Sequence, residues 1–220
     1  MPHLLELFSG TGSMGRAFRA RGWQVTSVDI DTAALPTICC DILELQVEDV
    51  LEFRPVDLVW ANPPCTQYSC ARTNARTPRD LEGSDALVRK VLDLADQLFC
   101  YYLLENPHSG LLKTRPVVRD LRLCVLDYCR YGTAYRKRTA IWTNSSYEPQ
   151  RPLCEHDCAS SDGRRHTRRA QRAGPGWHHT LAELYAIPEA LFDEIAEWAE
   201  SLRSVSYTHL HTATTVRGVT

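Results

Sequence analysis

Cys65 follows Asn62-Pro63-Pro64, directly past a short apolar run that ends at Ala61. Two prolines forbid ladder pairing there, so the thiol stands on a loop at a strand's end. A cysteine in such a place can be a core filler, a metal ligand or a nucleophile. Asn62, Pro63, Pro64, Thr66 and Gln67 surround it with loop chemistry, which fits the core poorly. A nucleophile needs an acid or base beside it. Glu105, in Leu103-Leu104-Glu105-Asn106-Pro107, offers a carboxyl group at the end of another apolar run.

A second constellation lies near the N-terminus. Phe8-Ser9-Gly10-Thr11-Gly12 is a glycine turn between a strand pattern and a helix pattern. Such a backbone can approach a ligand closely, and the helix N-terminus favours a negative group. The third glycine comes early, at Gly15, so the turn departs from the dinucleotide fingerprint. Asp29 ends the next strand pattern nineteen positions after Gly10, where a carboxylate can hold ribose hydroxyls. Together they suggest a nucleoside-containing cofactor.

A third group is Cys129, Cys154, Cys158 and His166. Cys154-x3-Cys158 followed by His166 lies within structural-zinc spacing, and Cys129 leads into the same region. His156, His178 and His179 compete for the histidine position. The alternative is scattered loop thiols. Cys39, Cys40, Cys100 and Cys124 stand in apolar contexts and are expected as core fillers. A disulfide framework is the weaker reading of the nine cysteines, because the N-terminus has no signal pattern.

The elements that must position these groups alternate in type. Strands are expected over residues 3–8, 24–30, 57–61 and 101–105, with a short segment ending at Asp41-Ile42. Helices are expected over 13–21, 47–53 and 84–99. That order predicts an α/β fold with a doubly wound, mostly parallel sheet, in which ligands bind beyond the strands' carboxyl ends. The glycine turn, Asp29, Asp41, Cys65 and Glu105 all fall there. Beyond residue 120, strands over 121–129 and 139–143 flank the basic loop Arg136-Lys137-Arg138. Residues 145–182 read as a small basic Cys/His insert without a core, and 188–202 as an amphipathic helix opened by Pro188.

The net charge of −2 conceals an asymmetry. Residues 130–172 carry ten Lys and Arg against four Asp and Glu, a local +6, so the remainder carries −8. Arg136, Arg138, Arg164, Arg165, Arg168, Arg169 and Arg172 therefore suggest one polyanion contact, the plain alternative being a solvated loop. The 44% hydrophobic content allows a sizeable core, and no apolar run reaches membrane-span length. A soluble, cytoplasmic protein is expected, without a membrane partner and monomeric.

The Phe8–Gly12 turn, Cys40-Asp41-Ile42, Pro64-Cys65 and Glu105-Asn106, in this order, resemble the motifs of DNA (cytosine-5)-methyltransferases over roughly residues 3–143. The resemblance implies a Rossmann-like fold, S-adenosylmethionine as cofactor and DNA as substrate. It places Phe8, Ser9, Gly10, Thr11, Gly12, Asp29, Ile30, Asp41, Ile42, Asn62 and Pro64 around the cofactor, with Asp41 at the adenine amine. Cys65 would add to carbon 6 of an extruded cytosine, so that carbon 5 becomes enamine-like and attacks the sulfonium methyl. Glu105 would hold ring nitrogen 3 and the exocyclic amine, and Asn106 would position the Cys65 loop. "YRKRTAIWT" is similar to the family's Gln-x-Arg-x-Arg stretch, with Lys137 and Thr139, or Arg136 and Arg138, at the arginine positions.

Thr66 stands where the family has Gln, and Pro107 where it has Val. The family's long target-recognition domain has no counterpart, which is similar to small forms in bacterial viruses and implies a bacterial or phage-infected cell. The expected division is a catalytic domain over 1–144, the insert over 145–182 and a C-terminal helix over 183–203. Residues 204–220 resemble the translated end of a sequencing adapter and are expected to be a non-native or disordered tail. Three alternatives remain open. One is an exocyclic amino-methyltransferase, suggested by Asn62-Pro63-Pro64. Another is a methyltransferase of free cytosine nucleotides. The third is a DNA-binding relative with altered catalysis.

Overall fold

The computed structural model describes residues 1–52, 55–72, 75–170, 173–174 and 177–214. Phe53, Arg172 and residues 215–220 lie outside them. A seven-stranded sheet forms the centre: β1 (His3–Leu7), β2 (Gln24–Asp29), β3 (Ile38–Cys39), β4 (Leu58–Ala61), β5 (Tyr101–Pro107), β6 (Arg122–Asp127) and β7 (Arg138–Thr143). Their spatial order is β3-β2-β1-β4-β5-β7-β6. The first five run parallel, and β7 is antiparallel to both β5 and β6. The helices are α1 (Ser13–Ala20), α2 (Val47–Leu51) and α3 (Leu81–Gln97).

Side chains alternate across the pleat, so each strand feeds two cores. Leu4, Leu58, Trp60 and Leu103 face one side with Phe18 of α1, while Leu5, Leu7, Val59, Ala61 and Leu104 face the other with Val88, Val91 and Leu94 of α3. Strands buried on both faces read as continuous apolar runs, which is why 3–8 and 57–61 stood out in the sequence.

Several boundaries differ from expectation for local reasons. Phe8 takes a left-handed φ of 58° and leaves β1 at Leu7. Helix α3 starts three residues before Ser84, because the Asp80 side chain accepts from the Gly83 N–H at 2.8 Å and caps it. Strand β5 is not stopped by Asn106-Pro107 but runs through them, since Asn106 lies opposite Ala140 and Pro107 opposite Thr139 of β7. After β6, residues Tyr128–Tyr131 coil into a 3-10 turn rather than continuing the strand. Cys39, expected in the core, is exposed because β3 is a two-residue edge strand, whereas Cys124 is buried.

The C-terminal part adds β8 (Ala173–Gly174) paired with β9 (Trp177–His178), and α4 (Leu181–Tyr185), none of which the periodicity announced. Helix α5 (Glu189–Thr214) does not end near residue 202. Its backbone continues into the stretch expected to be disordered, where no Pro or Gly occurs before Gly218 to break it. Leu191, Phe192, Ile195, Ala196 and Ala199 form its buried stripe. Glu200 fastens it by accepting from Arg21 Nε and Nη2 at 3.2 and 3.0 Å and from Trp23 Nε1 at 3.3 Å. No helix among the described residues is long and apolar enough to cross a membrane.

Leu191 is fully buried against the α1 face of the sheet. Leu191→Ala should therefore lower the unfolding free energy by about 2–5 kcal/mol in urea titrations. A loss below about 0.5 kcal/mol, the range of exposed substitutions, would mean that α5 does not pack there.

Candidate active site

The sheet's strand order reverses between β1 and β4, and the crevice beyond their carboxyl ends is the place for a ligand. At β1 the chain turns at once into α1. Ser9 N–H donates to Val28 O at 3.1 Å, and Gly12 N–H to Ser9 O at 2.7 Å. Gly12 has φ +64°, a conformation that side chains resist, and α1 begins at the next residue. The Asp29 carboxylate accepts from Gly10 N–H at 2.7 Å and from Asp31 N–H at 2.9 Å. It thus ties the glycine turn to the end of β2 while keeping oxygen lone pairs for another donor.

A cavity of about 730 Å³ opens there. Phe8, Ser9, Gly10, Thr11, Asp29, Ile30, Asp41, Ile42, Asn62 and Pro64 line it, as do Cys65, Glu105, Asn106 and Lys137. Among the residues expected around the cofactor, only Gly12 does not line it; it forms the turn beneath. Ile30 is 69% exposed, an apolar side chain held in the open beside two carboxylates. Asp41 braces its own loop by accepting from Leu43 N–H at 2.9 Å.

The opposite wall is built by β4, β5 and β7. Asn106 Nδ2 donates to Pro63 O at 2.9 Å and so holds the Cys65 loop against β5. Tyr68 N–H donates to Cys65 O at 3.0 Å, and Leu111 N–H to Tyr68 O at 2.9 Å, which closes the loop from its far side. Burial pushes the Cys65 thiol up, the Glu105 carboxylate adds to this, and Lys137 works against it. Burial and the Glu105 charge thus both favour the protonated thiol. Glu105 is 2% exposed and accepts from Tyr128 Oη–H at 2.9 Å. Lys137 Nζ lies 4.0 Å from Glu105 Oε1, donates to Leu184 O at 3.2 Å and sits 4.8 Å from the centre of the Tyr128 ring. An acid, a thiol and a cation thus share one wall of the crevice. Thr139, the other residue matched to the arginine positions, is buried in β7.

The sequence reading misses Tyr128 and gives Glu6, in the strand-end stretch Glu6–Gly10, no role of its own. Tyr128 carries no pattern that would reveal its contact with Glu105. Glu6 did leave a signal, a carboxylate inside the apolar strand His3-Leu4-Leu5-Glu6-Leu7. It lines the cavity, accepts from Gly15 N–H at 3.1 Å through Oε1, and has no hydrogen-bond partner for Oε2 among the described residues. A Cβ at Gly15 would collide with that carboxylate, which explains the early third glycine. Burial raises the Glu6 pKa from 4.5 to about 7, against the pull of the Gly15 N–H, Arg19 and Arg16.

The thiol cluster is assembled as the spacing implied. One ligand atom each from Cys129, Cys154, Cys158 and His166 lies within 4.8 Å of all the others. His156 is not in the set; its ring packs on His166 at 5.1 Å. His179 packs edge-on against Tyr135 at 4.9 Å. The basic residues divide in two. Arg164, Arg165, Arg168 and Arg169 are exposed on the insert. Arg136 and Arg138, expected to face a polyanion, instead turn to the buried Asp127. Arg138 Nε and Nη2 donate to it at 3.0 and 2.7 Å, and Arg136 Nε lies 3.5 Å away. Burial alone would raise the Asp127 carboxyl, but Arg138, the Cys154 N–H and Arg136 outweigh it and hold it below the usual range.

No protein-family model matches the chain. A curated protein of Frog virus 3 (isolate Goorha), named "Probable DNA (cytosine-5)-methyltransferase", is 31% identical over 215 residues, which span 88% of this chain and 98% of that protein. Among solved structures, a candidate DNA modification methyltransferase encoded within an E. coli prophage superposes with a TM-score of 0.52 at 19% identity. That match covers 65% of this chain and 46% of the other, and the likeness is one of fold.

Glu6 makes stability depend on pH. Its folded-state pKa is raised, so its stabilising contribution is complete below pH 4.5 and is lost as pH rises through about 7. The shift corresponds to about 3 kcal/mol. Urea unfolding between pH 4.5 and 8 should show the stability difference between the parent and Glu6→Gln changing by roughly that amount. A pH-independent difference would mean that Glu6 titrates as an ordinary carboxyl group.

Proposed function

Because the chain belongs to the DNA (cytosine-5)-methyltransferase family, we propose that it transfers a methyl group from S-adenosylmethionine to carbon 5 of cytosine in DNA. The observation that carries this reading is the single cavity shared by the glycine turn, the Cys65 thiol and the Glu105 carboxylate. S-adenosylmethionine, when bound, supplies an electrophilic methyl group on a sulfonium centre.

The donor set suits that molecule. Asp29 and Asp41 can accept from ribose hydroxyls and a purine amine, the exposed Ile30 offers an apolar face to a flat ring, and the unpaired Glu6 Oε2 suits a cation. The nucleoside end belongs at the glycine turn, and the extruded base at Cys65 and Glu105.

There the sulfur of Cys65 adds to carbon 6 of the ring while its proton passes to the Glu105 carboxylate and on to ring nitrogen 3. Glu105, held from behind by Tyr128, donates to or accepts from ring nitrogen 3 and the exocyclic amine. The thiol proton thus offsets the charge that the addition places on the ring, and Glu105 is a carboxylate before and after the transfer. Lys137 stabilises the thiolate and the anionic adduct. Carbon 5 takes the methyl group; water removes its proton as the Cys65 thiolate is expelled, ring nitrogen 3 returns its proton through Glu105 to the thiolate, and the aromatic ring is restored.

Residues 1–144 supply this chemistry, residues 145–182 grip the DNA, and 183–203 brace the catalytic sheet. The exposed Arg164, Arg165, Arg168 and Arg169 reach phosphates, Arg165 from beside Asp162 at 3.7 Å, whereas Arg136 and Arg138 act indirectly through Asp127. A zinc ion in the Cys129, Cys154, Cys158 and His166 cluster takes no part in the transfer itself.

Cys65→Ser should abolish methyl transfer, measured by digesting the DNA to nucleosides and weighing them for 5-methylcytosine. It should leave S-adenosylmethionine affinity nearly intact by calorimetry, because the thiol touches the base and not the cofactor. DNA containing 5-fluorocytosine should form a covalent adduct with the parent alone. Substantial 5-methylcytosine from the variant would refute the covalent route.

Log affinity for duplex DNA should fall with log salt by roughly 0.9 per phosphate contact. Removing Arg164, Arg165 and Arg168 together should flatten the slope by about two to three, and weaken unrelated duplexes alike. Fluorescence anisotropy across a salt series measures this. An unchanged slope would make the insert's arginines a solvated loop.

A further inference from the structure

We propose that Cys129, Cys154, Cys158 and His166 bind one tetrahedral zinc ion, and that this ion anchors the insert so that Tyr128 and Lys137 hold Glu105 in place. The second half rests on the methyl-transfer reading above; the first does not.

The spacing of the donor atoms matches a metal and not a disulfide. Cys154 Sγ and Cys158 Sγ lie 3.5 and 3.2 Å from His166 Nε2. Around a zinc ion with Zn–S near 2.3 Å and Zn–N near 2.0 Å, tetrahedral ligand atoms stand roughly 3.5–3.8 Å apart. All nine cysteines are free. A disulfide among the three would strand the third thiol and leave the imidazole without purpose. Three thiols and one imidazole within 4.8 Å of one another select zinc over harder ions.

The insert needs such a centre. Between residues 148 and 170 the one buried side chain is Cys154. Apart from that, the segment is held by polar contacts: Arg130 Nη2 donates to Leu153 O at 3.1 Å and to both Asp157 oxygens at 2.6 and 2.8 Å, and short turns do the rest. Asp162 N–H donates to Arg165 O at 3.0 Å, Ser161 bridges His166, and Thr167 N–H donates to Ser160 O at 3.0 Å. This tight hairpin carries His166 back to Cys158. With no apolar core of its own, the insert would draw its folding free energy from the metal.

The link to catalysis is three consecutive residues. Asp127 accepts from the Cys154 N–H at 3.0 Å and holds Arg136 and Arg138, on either side of Lys137. Tyr128 donates its hydroxyl to Glu105, and its N–H to Lys137 O at 3.1 Å. Cys129 is a ligand. Releasing the ion frees Cys154 and Cys129, and with them both ends of the turn that presents Tyr128. Tyr128 and Asp127 are therefore positioning residues acting through Glu105 and Lys137.

The test uses the full chain. Elemental analysis should find about one zinc per chain. Cobalt-substituted protein should show the visible absorption of a tetrahedral thiolate site. Cys158→Ser should lose most of the metal and melt at a lower temperature. His166→Cys, which offers four thiolates, should keep both the metal and the melting temperature. In the metal-free protein kcat should drop at least tenfold while S-adenosylmethionine affinity, read by calorimetry, stays within twofold; restoring zinc should restore kcat. A metal-free preparation that melts like the zinc-supplied one, or a disulfide found within the cluster, would overturn the metal site. Zinc binding with kcat unchanged on its removal would overturn the positioning role. Zinc binding in a protein that methylates nothing would sink the methyl-transfer reading, and with it the positioning role, and leave the metal centre standing.

Discussion

Strands β1 and β4 are parallel neighbours whose following segments leave the sheet toward opposite faces, and the crevice left between them governs everything else. Both strands end in backbone that cannot continue a ladder: a left-handed Phe8 on one side, Asn62-Pro63-Pro64 on the other. One side supplies a glycine turn tied to the Asp29 carboxylate. The other supplies a thiol on a loop. The two chemistries meet because the strands beneath them are in register, with Leu7 opposite Ala61.

Within the crevice, burial sets the chemistry by making charge costly. Burial and the Glu105 charge both press the Cys65 thiol to remain protonated, and Lys137 and a backbone hydrogen bond oppose them. On the other wall burial raises the Glu6 pKa to about 7. A cationic group brought beside it would oppose that rise.

The insert enters this arrangement through Asp127. A buried carboxylate is tolerated only when its charge is answered, and two arginines and a backbone N–H answer it. The same three contacts draw the insert, the start of β7 and the end of β6 to one point. The arginines nearest the active site therefore serve architecture, and those farther out on the insert remain available to a polyanion.

Alternating apolar runs and breakers were enough to read the parallel sheet and the helices, because strands buried on both faces cannot hide their composition. The strand-end positions of Gly10, Asp29, Asp41, Cys65 and Glu105 followed from the same pattern, and the set Cys129, Cys154, Cys158 and His166 from spacing. Local signals could not place what depends on a distant partner. Strand β5 passes through Asn106-Pro107 because β7 lies alongside, and the roles of Tyr128 and Glu6 exist only once β5 and α1 are beside them. Arg136 and Arg138 look like any basic loop until Asp127 is seen buried between them. Linear order determined which groups exist and which ends of elements carry them. The directions in which those groups point were decided by packing, because a side chain's partners are set by burial among residues far away in the chain.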